Sequence, residues 1–253
     1  ALEIQGRSNE ILCGDIDIYL STIYIFQLPG KCGNSIVIKF ENVTATYTEN
    51  VGVFNLSFHI PKGELIFLMG PTGAGKSTVL RAIYRDISIT DGTLLINGED
   101  VGKIRRRHVP RFRRKIGMVF QDYRLIPDRT VFENIALPLH IEGVSKKHIK
   151  DKVYDIGEKV GLKKRINNYP SQLSGGEKQR VSIARALVKE PLVILADEPT
   201  GNLDPNVSDE ILDLLEIATE SGAAVLMSTH NFPLVQPRKK RFIELNEGRL
   251  VTQ

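Results

Sequence analysis

The sequence predicts an α/β fold of the phosphate-loop type, a mostly parallel sheet with helices and one helical insertion. Three observations carry that expectation. Gly70 to Thr78 reads GPTGAGKST, the apolar run Leu192 to Ala196 ends in Asp197 and Glu198, and Leu173 to Glu177 reads LSGGE. With 253 residues, 42% of them hydrophobic, the chain suffices for one large α/β core and leaves no room for a second domain of independent size.

The first element is a strand, a loop and a helix start. Leu65 to Met69 is apolar, and Gly70, Pro71, Thr72, Gly73, Ala74, Gly75, Lys76, Ser77 and Thr78 lead into the helical pattern Val79 to Ile83. Glycines let the backbone turn tightly and bring N–H groups onto phosphates, where side chains would block approach. Lys76 then reaches the β- and γ-phosphates of a nucleotide, Ser77 is placed to ligate Mg²⁺, and Thr78 assists with phosphate oxygens.

The second element is the apolar run at Leu192 to Ala196, read as a strand buried on both faces. Ligands of open α/β sheets lie at the carboxyl ends of the strands, so Asp197 and Glu198 emerge beside the phosphate loop. Strand alternation would send them to opposite sides. Asp197 is expected to hold Mg²⁺ and Glu198 to act as general base on the attacking water.

The third element, Ser174-Gly175-Gly176-Glu177, precedes a helical pattern over Lys178 to Val188 and is a second glycine-rich helix start able to face an anion. In this order the three motifs resemble the nucleotide-binding subunit of ABC-type ATPases. The resemblance implies the ABC ATPase fold, with an added antiparallel β subdomain. It also implies a head-to-tail homodimer in which two ATP molecules lie between one chain's phosphate loop and the other's LSGGE. It places Tyr47 against adenine, Gln121 at Mg²⁺ and the attacking water, Asp204 in communication across the dimer, and His230 at the γ-phosphate. Asp204 before Pro205 also reads as the N-cap of a helix over Asn206 to Thr219.

The domain is expected to span residues 35–253, with a helical subdomain at about 122–170 that includes the amphipathic pattern Lys146 to Val160. Phe242 to Leu245 and Arg249 to Val251, separated by Asn246-Glu247-Gly248, read as a hairpin at the sheet edge. Residues 1–34 do not resemble the family and are taken as an N-terminal extension without assigned function. Cys13 and Cys32 fall there and have no metal-site spacing; as intracellular thiols they would stay reduced. No run reaches the roughly 18 apolar residues of a membrane span, and no secretory signal is recognisable. A peripheral place on the cytoplasmic side of the cell membrane is therefore expected.

Two local patterns refine the expectation. VPRFRRKIGMVFQD at Val109 to Asp122, DRTVFENIALPL at Asp128 to Leu139 and LADEPTGNLD at Leu195 to Asp204 are similar to the FtsE family of cell-division ATP-binding proteins. That resemblance implies an integral-membrane permease of the FtsX type as partner, with division proteins and peptidoglycan hydrolases downstream. Lipoprotein-releasing and efflux ATPases share the site chemistry and form the alternative. Asn231 departs from the aspartate common after the switch histidine. Separately, Lys103 to Lys115 holds eight Lys or Arg and no acid in a chain of formal charge +4. That cluster suits anionic lipid, an acidic partner or plain solvent better than nucleic acid, because it lacks the interleaved aromatics that stack bases.

Overall fold

Period-two apolar patterning opens the domain with two long paired strands, β1 (Ile36–Thr48) and β2 (Val51–Pro61). They run antiparallel, with register shifts that bend the ribbon, and Phe40 stacks on Phe58 at 4.2 Å between ring centroids. With β4 (Asp91–Ile96) and β5 (Glu99–Asp100) they form a four-stranded antiparallel sheet in the order β2-β1-β4-β5. The computed structural model describes residues 35–48 and 51–251, so the expected extension at 1–34, with Cys13 and Cys32, lies outside the described residues.

The second sheet contains β3 (Leu65–Met69), β6 (Ile116–Val119), β7 (Val193–Asp197), β8 (Ala224–Ser228), β9 (Phe242–Asn246) and β10 (Arg249–Leu250) in the order β10-β9-β3-β8-β7-β6. All neighbours are parallel except the β9–β10 hairpin at the edge. Its central strands are covered on both faces, which explains their unbroken apolar runs. Alternation still operates inside them. Phe67, Ile194 and Met227 join one core, while Leu68, Leu195 and Leu226 join the other.

One core lies between the parallel sheet and the antiparallel sheet, with α1 (Lys76–Ile83) packed into it. The other lies against α3 (Val131–Ile141), α4 (Lys146–Lys159), α5 (Gly175–Leu187) and α6 (Pro205–Glu220). A short α2 (Val109–Arg113) leads into β6, and α7 (Phe232–Val235) follows β8. Helix α3 begins with a reciprocal cap in which Thr130 and Glu133 satisfy each other's backbone N–H groups. The buried Asn134 then fastens the preceding loop, accepting from Ile126 N–H and donating to the Ile126, Arg129 and Thr130 carbonyls. The helix expected from Lys178 instead starts at Gly175, because Ser174 and Glu177 form the same kind of reciprocal cap and carry both glycines into its first turn.

Candidate active site

Strand β3 delivers the chain to a loop whose backbone demands glycine. Gly70, Gly73 and Gly75 stand at φ of 141°, 83° and 101°, a region L side chains rarely adopt. A Cβ at Gly70 would lie 2.3 Å from the Leu245 carbonyl oxygen, and one at Gly75 would lie 2.8 Å from Val53 Cγ1. Gly75 caps α1 without a side-chain bond, so the first-turn N–H groups keep no side-chain acceptor. Lys76 is 6% exposed, and its Nζ donates to the Gly70 and Pro71 carbonyls at 2.8 and 3.0 Å. The loop thus folds around its own ammonium.

Four further side chains converge on this loop from the carboxyl ends of β7 and β8. Ser77 Oγ donates to Asp197 Oδ1 at 3.0 Å, and Ser228 Oγ donates to the same oxygen at 2.7 Å. Ser228 Oγ also accepts from Glu198 N–H at 3.0 Å. Glu198 Oε1 stands 3.6 Å from Lys76 Nζ, and its Oε2 lies 2.7 Å from His230 Nδ1. Strand alternation does not separate the two acids as the sequence suggests. β7 ends at Asp197, and Glu198 has left-handed backbone at φ 45° that turns its carboxylate toward His230. Ser228 was not anticipated; the one available signal was a hydroxyl closing an otherwise apolar strand.

Gln121 is exposed just beyond β6. Its Nε2 lies 3.3 Å from the position a Cβ on Gly201 would take, and Glu198 Oε2 lies 3.8 Å from that same position. Its amide therefore borders the turn after Glu198. Beyond Asp122, the loop residues Tyr123 and Arg124 are both left-handed, at φ 61° and 45°. Arg185 of α5 holds them by donating to the Tyr123 carbonyl at 2.7 Å and the Arg124 carbonyl at 2.6 Å. Burial pushes the Arg185 pKa down from its ordinary value. Tyr123 Oη also lies 3.3 Å from the Cβ position of Gly175. The loop that carries Gln121 is thus strapped along the helix that carries LSGGE, a link spanning more than 60 residues of sequence that no local pattern announces.

The LSGGE segment is assembled differently. Ser174 Oγ accepts from Glu177 N–H at 3.2 Å, and a Glu177 carboxylate oxygen accepts from Ser174 N–H at 2.8 Å. The Ser174 N–H, with Arg165 at 2.8 Å assisting, holds the Glu177 carboxyl below the usual range. A Cβ at Gly176 would sit 2.5 Å from Val207 Cγ1, so the start of α5 presses on the first turn of α6. Asp204 caps α6 by accepting from Val207 N–H at 3.1 Å. No hydrogen bond or ion pair among the described residues joins Ser174, Glu177 or Asp204 to the Lys76–His230 cluster. Tyr47 is 46% exposed at the end of β1, and its hydroxyl accepts from Arg81 of α1 at 3.2 Å.

Residues 53–201 match the family model of ABC transporters. The chain is 43% identical over 216 residues to the cell division ATP-binding protein FtsE of Streptococcus pneumoniae serotype 2 (strain D39), covering 85% of this chain and 94% of that one. It is 45% identical to FtsE of Escherichia coli K12, covering 85% and 97%. Among solved structures, the dimeric ATP-binding cassette MJ0796 bound to ADP and Pi superposes with a TM-score of 0.75 at 35% identity, covering 84% of this chain and 96% of that one. CbiO1 of Clostridium perfringens, part of the ABC transporter complex cbiONQ, superposes with a TM-score of 0.79 at 27% identity, covering 85% and 87%. With a family match over more than half of its length and such identity across nearly the whole of these relatives, the chain belongs to the ABC transporter family and carries its ATPase domain.

Proposed function

We propose that the chain binds ATP with Mg²⁺ at the Lys76–Ser77–Asp197 edge, hydrolyses it between two copies of itself, and works with an integral-membrane permease of the FtsX type in cell division. The observation that carries the division role is the identity of 43% and 45% to cell division ATP-binding proteins over 94% and 97% of their lengths. The division role rests as well on the sequence around Gln121. Activation of peptidoglycan hydrolysis across the membrane would be the output.

The donor set fits a magnesium nucleotide. Mg²⁺ takes hard oxygen ligands and keeps several waters, so one hydroxyl and one carboxylate suffice from the protein. Ser77 and Asp197 offer that pair with their oxygens 3.0 Å apart. Once bound, the nucleotide and metal supply the reacting phosphoryl group and neutralise its charge. Lys76 would exchange the Gly70 and Pro71 carbonyls for phosphate oxygens. Ser228 fixes Asp197 from behind. Glu198 takes the proton of the attacking water, and His230, bonded through Nδ1, orients that carboxylate while its other nitrogen stays available to a phosphate. Gln121, whose amide borders the turn after Glu198, positions water, and Tyr47 stacks on adenine.

The Ser174 hydroxyl spends a lone pair on its helix cap and keeps its proton to donate to a partner copy's nucleotide, beside the N–H groups of Gly175 and Gly176. Glu177 acts indirectly, by holding Ser174. Asp204 places the turn that faces the second copy. The ABC ATPase domain would span residues 35–253, and its helical subdomain, about 122–170, would join the Gln121 loop in contacting the permease. Among the described residues no helix is long and apolar enough to cross a membrane, so the permease would supply the attachment.

The test is affinity purification of the Glu198→Gln chain from ATP-containing native membranes. Recovery of a permease together with division proteins supports the proposal. Recovery of a lipoprotein or drug exporter assigns the chain to transport, and purely soluble partners overturn the membrane role.

A further inference from the structure

We propose that the outer face of the segment 105–114 is a binding surface for anionic phospholipid head groups. The segment runs through a 3-10 turn, Arg106–His108, directly into α2. Ile104 just before it and Phe112 within it are 9% and 2% exposed and anchor its inward side. Its outward side carries Arg105, Arg106, Arg107, Arg111 and Arg114, all exposed.

The remaining cations of the cluster are committed to the fold. Lys103 pairs with Asp100 at 2.9 Å, Lys115 with Glu99 at 2.7 Å, and Arg113 with Asp86 at 3.3 Å. Arg113 also donates to the Tyr84 and Arg85 carbonyls, and its guanidinium lies 4.5 Å over the Tyr84 ring. The outward arginines have no carboxylate within ion-pair distance among the described residues. Among the described residues their one side-chain hydrogen bond runs from Arg107 Nε to His108 Nε2, another basic group, at 3.2 Å.

This arrangement opposes local stability. Arg107 of the 3-10 turn, Arg111 of α2 and Arg114 just past it are exposed like charges within eight residues, and like charges held this close repel. An external layer of anions would relieve the repulsion. Guanidinium groups grip phosphate in a planar fork, and exposed arginines on long side chains can reach a field of lipid phosphates. A nucleic acid fits less well. Phe112 within the segment is buried and Tyr84 is covered by Arg113, so neither of these rings is free to stack bases. Permease binding would fix the chain's place along the membrane, and the stripe would add a salt-sensitive contact to the bilayer itself. The surface does not depend on the division role.

The test is sedimentation of the full chain with sucrose-loaded vesicles of phosphatidylcholine, with and without phosphatidylglycerol, at low and high salt. The expected result is binding that needs phosphatidylglycerol and is lost at high salt. The triple variant Arg107→Gln/Arg111→Gln/Arg114→Gln should bind roughly 100-fold more weakly, as expected for three surface cations near an anionic bilayer. The triple variant Lys146→Gln/Lys147→Gln/Lys150→Gln, which removes the same charge from α4, should bind as the unmodified chain does. Equal loss in both variants, indifference to phosphatidylglycerol, or tighter binding to duplex DNA than to vesicles would overturn the proposal. ATP hydrolysis in solution should be unchanged in the arginine variant, which verifies its folding and separates this surface from the ATPase reading.

Discussion

The phosphate-loop edge and the LSGGE segment are both glycine-rich helix starts, yet they reach order by opposite means. At the phosphate loop, α1 has no side-chain cap, and Lys76, Ser77, Asp197, Glu198, Ser228 and His230 hold one another across elements far apart in sequence. At LSGGE, Ser174 and Glu177 complete the helix start locally. The first region places charge where chemistry can use it and leaves backbone donors open to a ligand. The second is completed by its own cap, and in the proposed dimer it would meet a nucleotide held by another copy. In the proposed ATP-driven cycle this division would let one half part from the other without unfolding.

Substitutions can break or sharpen that contrast. The largest effect is expected from Lys76→Ala, which removes the buried ammonium. ATP turnover should fall by at least roughly 10²–10³-fold, with nucleotide affinity falling too, as for loss of a main charge-stabilising donor. A coupled ATPase assay and fluorescent-nucleotide binding would show both. Glu198→Gln keeps the shape but cannot take a proton, so turnover should fall by roughly 10²-fold or more while ATP affinity survives. Gel filtration with ATP should then show a persistent dimer, and a variant that stays monomeric and hydrolyses at the unmodified rate would remove Glu198 from the proposed role.

Arg185→Ala tests whether the two regions are mechanically tied. It removes two charged-donor bonds to carbonyls, at about 1.5–3 kcal/mol each, and should lower the denaturant midpoint. Arg185→Lys retains one bond, so about half of the lost stability should return while turnover remains low if the strap sets the position of Gln121. Ser174→Ala should cost only about 1 kcal/mol as a lost cap. Ser174→Asp should restore that stability, since aspartate caps as well, yet abolish ATP-driven dimerisation by setting a carboxylate against phosphate. If both variants dimerise normally, the Ser174 hydroxyl has no role across the interface.

The smallest effect concerns pH. Lys189 donates to the Arg113 and Ile116 carbonyls, and burial pulls its pKa down to about 8. Between about 8 and the ordinary lysine value the unfolded chain binds the extra proton. This group therefore adds stability as pH rises through that window and opposes folding below it. Lys189→Gln should flatten the rise in urea midpoint above pH 8.

The parts of the site legible in the sequence are those that a motif carries to the end of a strand: Lys76 and Ser77 after β3, Asp197 and Glu198 at the end of β7, His230 just past β8. Their placement together follows from the edge they occupy. Arg185 and Ser228 were not legible, because their partners are a carbonyl pair in a left-handed loop and a carboxylate on a neighbouring strand. Both contacts come into being only when the sheet order is set. The start of α5 was misplaced for a related reason: two glycines read as loop, and the reciprocal cap that overrides them depends on Ser174 and Glu177 acting together.

The left-handed backbone at Glu198 narrows how this gene can change. Single-nucleotide neighbours of a glutamate codon include valine, alanine, glycine, glutamine, lysine and aspartate. Valine would meet the full penalty of a β-branched side chain at φ 45°, whereas glycine or aspartate tolerates that conformation more readily. A lineage that gave up hydrolysis but kept a nucleotide-operated clamp would therefore pass through the second group and avoid the first. Backbone geometry at one position thereby filters which inactive descendants can persist as folded proteins.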